Sequence, residues 1–191
     1  MTDARSMSGA AGPVWADEVL KFWFQELGES RWFGKSDAID GQIRDRFLSL
    51  HEQLVANEGE DITTPRPLLA AVIVLDQFSR NMFRGTPRAF ATDPVARRLA
   101  RAAIARGFDL GMTRAERMFL YLPFEHSEDR GDQALAVDLI RRLGHAEWTR
   151  YAEAHQAIID RFGRFPHRNA ILGRASTAEE IAALKEPMGS F

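Results

Sequence analysis

Two stretches of the sequence combine residue types that could bind an anion and move a proton. The first contains Asp76, Gln77, Arg80 and Asn81, within a segment that is otherwise strongly apolar. If this segment is helical, Asp76 and Arg80 lie one turn apart, as do Gln77 and Asn81. Buried polar groups must be paired, so these residues either form an internal ion-pair and amide network that fixes helix docking or face a ligand.

The second stretch, residues 161–169, is the richest in basic groups. Its side chains alternate between basic, amide and aromatic types: Arg161, Phe162, Arg164, Phe165, His167, Arg168 and Asn169. Arginines near the end of a helix can simply offset the negative end of its dipole. Four basic groups so close together exceed that need, however. Guanidinium groups that lean on aromatic rings stay ordered and suit phosphate or carboxylate, so the stretch predicts a small-anion site.

Three histidines could supply a proton-transfer step. His126 precedes the expected start of a helix, where it could cap the helix, act as a general base or bind a metal. His155 lies toward the apolar side of a later helix, where a histidine is usually a hydrogen-bonded core residue. These two and His167 are the acid–base candidates, and Asp76 or Glu128 would set their protonation state.

Composition excludes several classes of protein. The 191 residues carry a formal net charge of −2, so no global field attracts nucleic acid or an anionic membrane. The chain has no cysteine, which excludes disulfides and thiolate nucleophiles and favours a cytoplasmic location. The sequence contains neither a signal-peptide pattern nor an apolar run long enough to cross a membrane. Glycine-rich phosphate loops, dinucleotide fingerprints and zinc helices are missing too, so no metal or cofactor is predicted.

Helix signals dominate the chain from Pro13 onward, and the alternation typical of strands is missing. Helices are predicted at residues 13–27, 36–57, 65–83, 93–106, 113–123, 127–144 and 146–162, with a short one from 177. Their expected capping residues are Ser36 or Asp37, Thr64, Thr113 with Glu116, Ser127, and Thr177 with Glu180. The third helix is apolar nearly all round and should be central. We expect a single all-α domain over residues 13–191, after a frayed segment at residues 1–12.

Longer motifs resemble a known family. They are VLKFWF at Val19, RWFGKSDAID at Arg31, VLDQFSRNMFRGTPRAFATD at Val74, YLPFEHSED at Tyr121 and RFGRFPHRNAILGR at Arg161. Together they resemble the bacterial domain-of-unknown-function family DUF924 over residues 15–184. The resemblance implies a tetratricopeptide-like all-α fold, a stack of antiparallel helical hairpins with about seven to eight helices, and no established activity. Ser79 and Glu125 depart from its usual pattern.

Two hypotheses follow for function. In the first, a pocket binds a small phosphate- or carboxylate-bearing anion and could also catalyse an acid–base step. Its ligand-binding residues would be Gln77, Arg80, Asn81, Arg161, Arg164, Arg168 and Asn169, and its acid–base residues Asp76, His126, Glu128, His155 and His167. In the second, the helical hairpins form a scaffold for a peptide or partner protein, and the polar clusters are structural. The first hypothesis requires residues 161–169 to fold back against the middle helix.

Overall fold

The computed structural model describes residues 12–186 and 188–189 of the chain. Within these residues all regular secondary structure is helical. The predicted all-α class is therefore confirmed. The predicted frayed segment, residues 1–12, lies outside the described residues except for Gly12.

Short connections join the helices in chain order. The α-helices are α1 (Val14–Lys21), α2 (Asp37–Ala56), α3 (Pro65–Ile73), α4 (Ser79–Met82), α5 (Asp93–Ala105), α6 (Arg114–Glu125), α7 (Arg130–Arg141), α8 (Ala146–Phe162) and α9 (Ala178–Ala183). Two π-helical segments, Phe22–Leu27 and Val74–Phe78, extend α1 and join α3 to α4. Residues 65–82 thus form one continuous rod. With this rod counted once, the described chain has eight α-helices, within the predicted range.

The rod lies at the centre of the fold. Every residue from 67 to 79 is buried, and α1, α2, α5 and α6 pack against this segment or its continuation. A helix that is apolar on all sides must be covered on all sides, which explains this central position. Rings from the π-helical segment after α1 complete the core beside it, where Trp23 meets Phe78 edge-on at a centroid distance of 5.5 Å.

A π-helical turn interrupts the rod at Val74–Phe78. In such a turn the backbone hydrogen bonds span one more residue than in an α-helix, and an extra residue is accommodated. The turn contains Asp76 and Gln77. Next to it, the Thr92 hydroxyl donates to the carbonyl oxygen of Leu75 at 2.5 Å. Sequence periodicity did not predict this turn, which sets the direction of the most deeply buried carboxylate in the site.

Most helix starts agree with the predicted capping residues. The Ser36 hydroxyl accepts from a backbone amide of α2, and Thr113 and Thr177 each form a complete capping box. One end differs, because Pro123 lies inside α6, which continues to Glu125. A proline in the last turn removes one backbone hydrogen bond without ending the helix.

The predicted start of α7 was wrong. Ser127 was expected to cap it, with Glu128 and Asp129 in the first turn. Instead the Asp129 carboxylate caps the helix and accepts from the Asp132 amide at 2.9 Å. The Ser127 hydroxyl is engaged by the side chain of Asp132, to which it donates at 2.7 Å. The helix therefore begins at Arg130, and Glu128 lies in the connection before it.

Candidate functional site

The carboxylate of Asp76 is the most buried polar group of the candidate site. His126 Nδ1 lies 2.8 and 3.0 Å from its two oxygens, and Arg80 Nη1 lies 3.1 Å from one of them. Gln77 Nε2 donates to it at 2.6 Å. Burial opposes ionisation, but the nearby Arg80 and His126 outweigh it and lower the pKa of Asp76. Asp76 is therefore an ionised carboxylate whose oxygens all have donors.

Contact with Asp76 fixes the tautomer of His126. Because an ionised carboxylate can only accept hydrogen bonds, His126 Nδ1 carries the proton and donates it. Burial and the charge of Arg80 lower the pKa of His126, although Asp76 acts in the opposite direction. The neutral ring presents the lone pair of Nε2, and no described residue forms a hydrogen bond with that atom. The side chain is 15% exposed, so a small molecule in solvent can contact it.

Two arginines flank Asp93, which is buried at the start of α5. Arg80 donates from its two Nη atoms to the two Asp93 oxygens at 2.8 and 3.0 Å. Arg168 Nη1 lies 3.6 Å from Asp93, which is too long for a hydrogen bond. Its Nε is buried and has no hydrogen-bond partner among the described residues. Burial and the charge of Arg80 lower the pKa of Arg168 to about 10, so the group stays charged near neutral pH.

Two aromatic rings pack against the Arg168 guanidinium. Its central carbon lies 4.6 Å from the centroid of Phe90 and 4.5 Å from the centroid of Phe165. These contacts hold the group in place and leave its edge as the direction for further partners. An oxyanion binds arginine along that edge, with parallel hydrogen bonds in the guanidinium plane. The packing of Arg168 therefore suits an oxyanion.

The side chains around Asp76 and Arg168 form a ring of contacts. We refer to Asp76, Arg80, Asp93, His126, His155, Phe165 and Arg168 as the inner site. The ring closes because the His155 centroid lies 6.3 Å from that of His126 and 5.6 Å from that of Phe165. His167 lies beside it, 5.5 Å from Phe165 between centroids. Burial, Arg168 and His126 lower the pKa of His167 to about 4, so its ring is neutral near neutral pH.

Glu125 is a neighbour of the inner site that was not among the predicted acid–base or ligand-binding residues. Its Oε1 lies 3.2 Å from His155 Nδ1, which also donates to the carbonyl oxygen of Tyr151 at 2.8 Å. Burial, together with the charge of Asp76, raises the pKa of Glu125 to about 8. The carboxyl is therefore mostly protonated near neutral pH. Its position in an apolar helix, immediately before His126, was the signal that could have identified it.

A second cluster uses other basic residues of the 161–169 stretch. We refer to Glu128, Arg161, Arg164, Asn169, Arg174, Glu179 and Glu180 as the C-terminal clasp. Arg164 donates to both oxygens of Glu180 at 2.6 and 2.9 Å, and Arg161 Nε donates to Glu179 at 3.0 Å. Asn169 Nδ2 donates to Glu180 at 3.3 Å. The structure thus places Arg161, Arg164 and Asn169 against α9, outside the inner site.

Glu128 connects the C-terminal clasp to the inner site. Its carboxylate accepts from the Phe165 amide at 2.8 Å and from two Arg174 nitrogens at 2.7 and 2.9 Å. Burial raises the pKa of Glu128, but the hydrogen bonds from Arg174 and Phe165 outweigh it and lower the pKa on balance. These contacts hold the segment whose ring covers Arg168. Glu128 therefore has the geometry of a positioning residue for that segment.

The polar residues of segment 76–81 do not all lie at the same site. Asp76, Gln77 and Arg80 belong to or contact the inner site, as described above. Asn81 is directed to α2, where its Nδ2 donates to Asp40 at 2.7 Å. Arg84 donates to the same carboxylate at 2.7 and 2.9 Å. The Asn81 cluster is an internal network that docks α2 on the rod.

The side chains of the inner site are mostly buried. Two surface pockets, of about 520 and 470 Å³, lie beside α1 and along α5, and none of their lining residues belongs to the inner site. Its most exposed polar side chains are those of Arg80 and His126, which are 19% and 15% exposed. Among the described residues, no three histidine, aspartate or glutamate side chains are arranged to hold a metal ion. In the same part of the chain, no helix has the length and apolarity for a membrane crossing.

An all-α domain with a buried Asp–His–Arg cluster is the class of protein that the fold and site define. The chain belongs to the family described as bacterial protein of unknown function (DUF924), whose model matches residues 19–188. It is also similar to a solved structure, that of the protein of unknown function ATU0120 from Agrobacterium tumefaciens. The two chains are 42% identical with a TM-score of 0.86, covering 90% of this chain and 97% of the other. No curated protein matches the chain.

Proposed function

We propose that the inner site binds a small ligand bearing an oxyanion, and that His126 accepts a proton there. The observation that supports this most strongly is the state of Arg168. Its side chain is 8% exposed, its Nε has no partner among the described residues, and its nearest carboxylate oxygen is 3.6 Å away. A buried charge without a full set of partners costs free energy. An anion at the Nη atoms of the guanidinium supplies hydrogen bonds that Asp93, at 3.6 Å, does not.

The Asp76–His126 pair provides the acid–base part of the proposal. A neutral histidine whose Nδ1 donates to a carboxylate is oriented to accept a proton at Nε2. The carboxylate then stabilises the imidazolium that forms. In this chain the acceptor is His126 Nε2, and the proton comes from the bound ligand or from water beside it.

The other acid–base candidates take supporting roles in the proposal. His155 donates to the Tyr151 carbonyl, which fixes its ring behind His126. Glu128 holds the backbone of Phe165. His167 is partly exposed and packs against Phe165.

Anion binding is tested by thermal unfolding and isothermal titration with inorganic phosphate and small organic acids, against sodium chloride at equal ionic strength. The free energy of unfolding of the wild type is expected to increase by about 2.7 kcal/mol when the anion concentration is 100 times Kd. Arg168→Gln is expected to abolish this gain, because it removes the charge at the centre of the site. Arg161→Gln, a change of the same kind in the exposed part of the C-terminal clasp, should leave it intact.

The proton-acceptor role has its own measurement. Nitrogen-15 NMR of the histidine rings should show His126 neutral near neutral pH, with its proton on Nδ1. The binding proposal fails if no anion stabilises the protein or if Arg168→Gln responds like wild type. A His126 ring that carries its proton on Nε2 removes the general-base role while leaving anion binding in place.

Two further predictions stay predictions. The family resemblance implies tetratricopeptide-like stacking and, with it, docking of a peptide or protein partner. The consecutive packing of α6, α7 and α8 through connections at residues 126–129 and 142–145 is compatible with such stacking. The cysteine-free composition likewise favours a cytoplasmic location.

A further inference from the structure

Hydrogen-bond acceptors as well as cations border the inner site. His126 Nε2 is an acceptor because its ring is neutral and Nδ1–H is directed at Asp76. The carboxylate of Asp93 lies 3.6 Å from Arg168 and is a second acceptor. Donors come from Arg80 and Arg168. A ligand that contacts the inner site therefore meets fixed lone pairs as well as N–H groups.

We infer that the inner site selects oxyanions that carry a proton of their own, and that hydrogen phosphate binds there in preference to sulfate. This inference rests on the proposed function and narrows its ligand class. The anionic oxygens of the ligand accept from Arg168 and Arg80, while its O–H group donates to His126 Nε2. No proton has to move for this arrangement to form.

A fully ionised anion lacks the donor that His126 requires. Its oxygen would face the lone pair of Nε2, and a buried acceptor without a donor loses the free energy of a hydrogen bond. Sites built to bond a ligand hydroxyl reject analogues that lack it for the same reason. Protonation of His126 would relieve the repulsion, but burial and Arg80 oppose it, because they lower the pKa of this ring.

The tetrahedral anions phosphate and sulfate are a matched pair of probes. They have similar size and shape, and near neutral pH phosphate keeps at least one proton whereas sulfate has none. Isothermal titration of the full chain at constant ionic strength should give a Kd for phosphate at least about tenfold lower than that for sulfate, which corresponds to one hydrogen bond. Equal or tighter binding of sulfate overturns the inference and leaves the proposed function standing.

Variants separate the role of His126 from general electrostatics. In His126→Gln the side-chain amide can donate or accept, so the ratio of the two affinities should fall toward one. His145→Gln changes a partly exposed histidine at the start of α8 and should keep the wild-type ratio. If His126→Gln keeps the wild-type ratio of phosphate to sulfate affinity, His126 Nε2 is not the acceptor of the ligand proton. Should His126→Gln not fold, the ring tautomer of wild-type His126 with phosphate bound decides the same point by NMR.

A second pair of probes tests the same chemistry on a carboxylate. Glycolate carries a hydroxyl beside its carboxylate, and acetate does not. Tighter binding of glycolate than acetate supports a hydroxy acid as the source of the O–H group. If the site discriminates between phosphate and sulfate but not between glycolate and acetate, it is assigned to hydrogen phosphate. If none of the four anions binds, both the inference and the proposed function are wrong.

Discussion

The C-terminal clasp and the inner site both take arginines from the segment after α8, yet they differ in how completely these charges are paired. In the C-terminal clasp, Arg164 and Arg174 each meet both oxygens of a carboxylate, on Glu180 and Glu128. In the inner site, Arg168 forms no hydrogen bond to a carboxylate, and its Nε has no partner among the described residues.

This difference distinguishes an architectural cluster from one suited to a ligand. A bidentate arginine–carboxylate pair with its remaining donors satisfied has nothing further to gain, so it fixes one chain segment against another. A buried arginine with open donors is held in place at a cost in stability. Binding of an anion recovers that cost, and the free energy appears as affinity. The presence of arginines and carboxylates does not separate the two cases, since both clusters contain them.

The largest expected effect is on the carboxylate at the centre of the inner site. Asp76→Ala leaves Arg80 with one carboxylate instead of two and leaves His126 Nδ1 without its acceptor. Removal of one member of a buried ionic network typically costs about 3–5 kcal/mol. Urea unfolding monitored by circular dichroism should show a loss of that size.

The matched control is an exposed ion pair. Asp138 pairs with Arg142 one turn along α7, and both side chains are more than half exposed. Asp138→Ala should cost at most about 0.5 kcal/mol, the usual contribution of such a helical pair. Equal losses in the two variants would show that the inner site is no more coupled than a surface pair.

A smaller effect on stability is expected from the ionisation of Glu125, the buried acid beside the inner site. The folded-state pKa of Glu125 is raised to about 8, above its unfolded value of about 4.5, so its contribution to stability is present at low pH and is lost as pH rises toward 8. The lowered histidine pKa values change stability only below about 6.5. Between about pH 6.5 and 8, wild type should lose up to about 1.4 kcal/mol per pH unit.

Glu125→Gln removes this titration and keeps the shape of the side chain. Its free energy of unfolding should therefore vary less with pH over the same window, and the variant should exceed wild type in stability at the upper end. Urea titrations at several pH values measure both slopes. Equal slopes in wild type and Glu125→Gln would mean that the pKa of Glu125 is not raised in the folded protein. Its contact with His155 would then not depend on a protonated carboxyl.

Much of the fold was predictable from the sequence. The central rod followed from a segment that is apolar on all sides, and the capping boxes at Thr113 and Thr177 located two helix starts. Part of the expected return of residues 161–169 is also observed. Arg168 lies beside Asp93, which is paired with Arg80 of the rod, whereas Arg161 and Arg164 pair with α9. The rod and the capping boxes depend on local pattern, which a sequence displays directly.

The division of the polar residues was not predictable from the sequence. Which arginine pairs with which carboxylate depends on the π turn at Val74–Phe78, which sets the direction of Asp76, and on α9, whose Glu180 engages Arg164. The raised pKa of Glu125 likewise depends on the helices that bury it. Spacing along the chain indicates which residues are one turn apart, but it does not indicate which of them find a partner across helices.

The smallest expected effect on binding separates the two clusters most sharply. Arg164→Ala removes the bidentate pair with Glu180 and should lower Tm by a few degrees, because α9 loses a contact with the segment after α8. The phosphate Kd should stay within about twofold of wild type, since variants at independent sites combine additively. Arg168→Gln should behave in the opposite way, with loss of phosphate binding and little loss of Tm. A phosphate Kd that rises as much in Arg164→Ala as in Arg168→Gln would merge the two clusters into one site and return Arg164 to the set of ligand-binding residues.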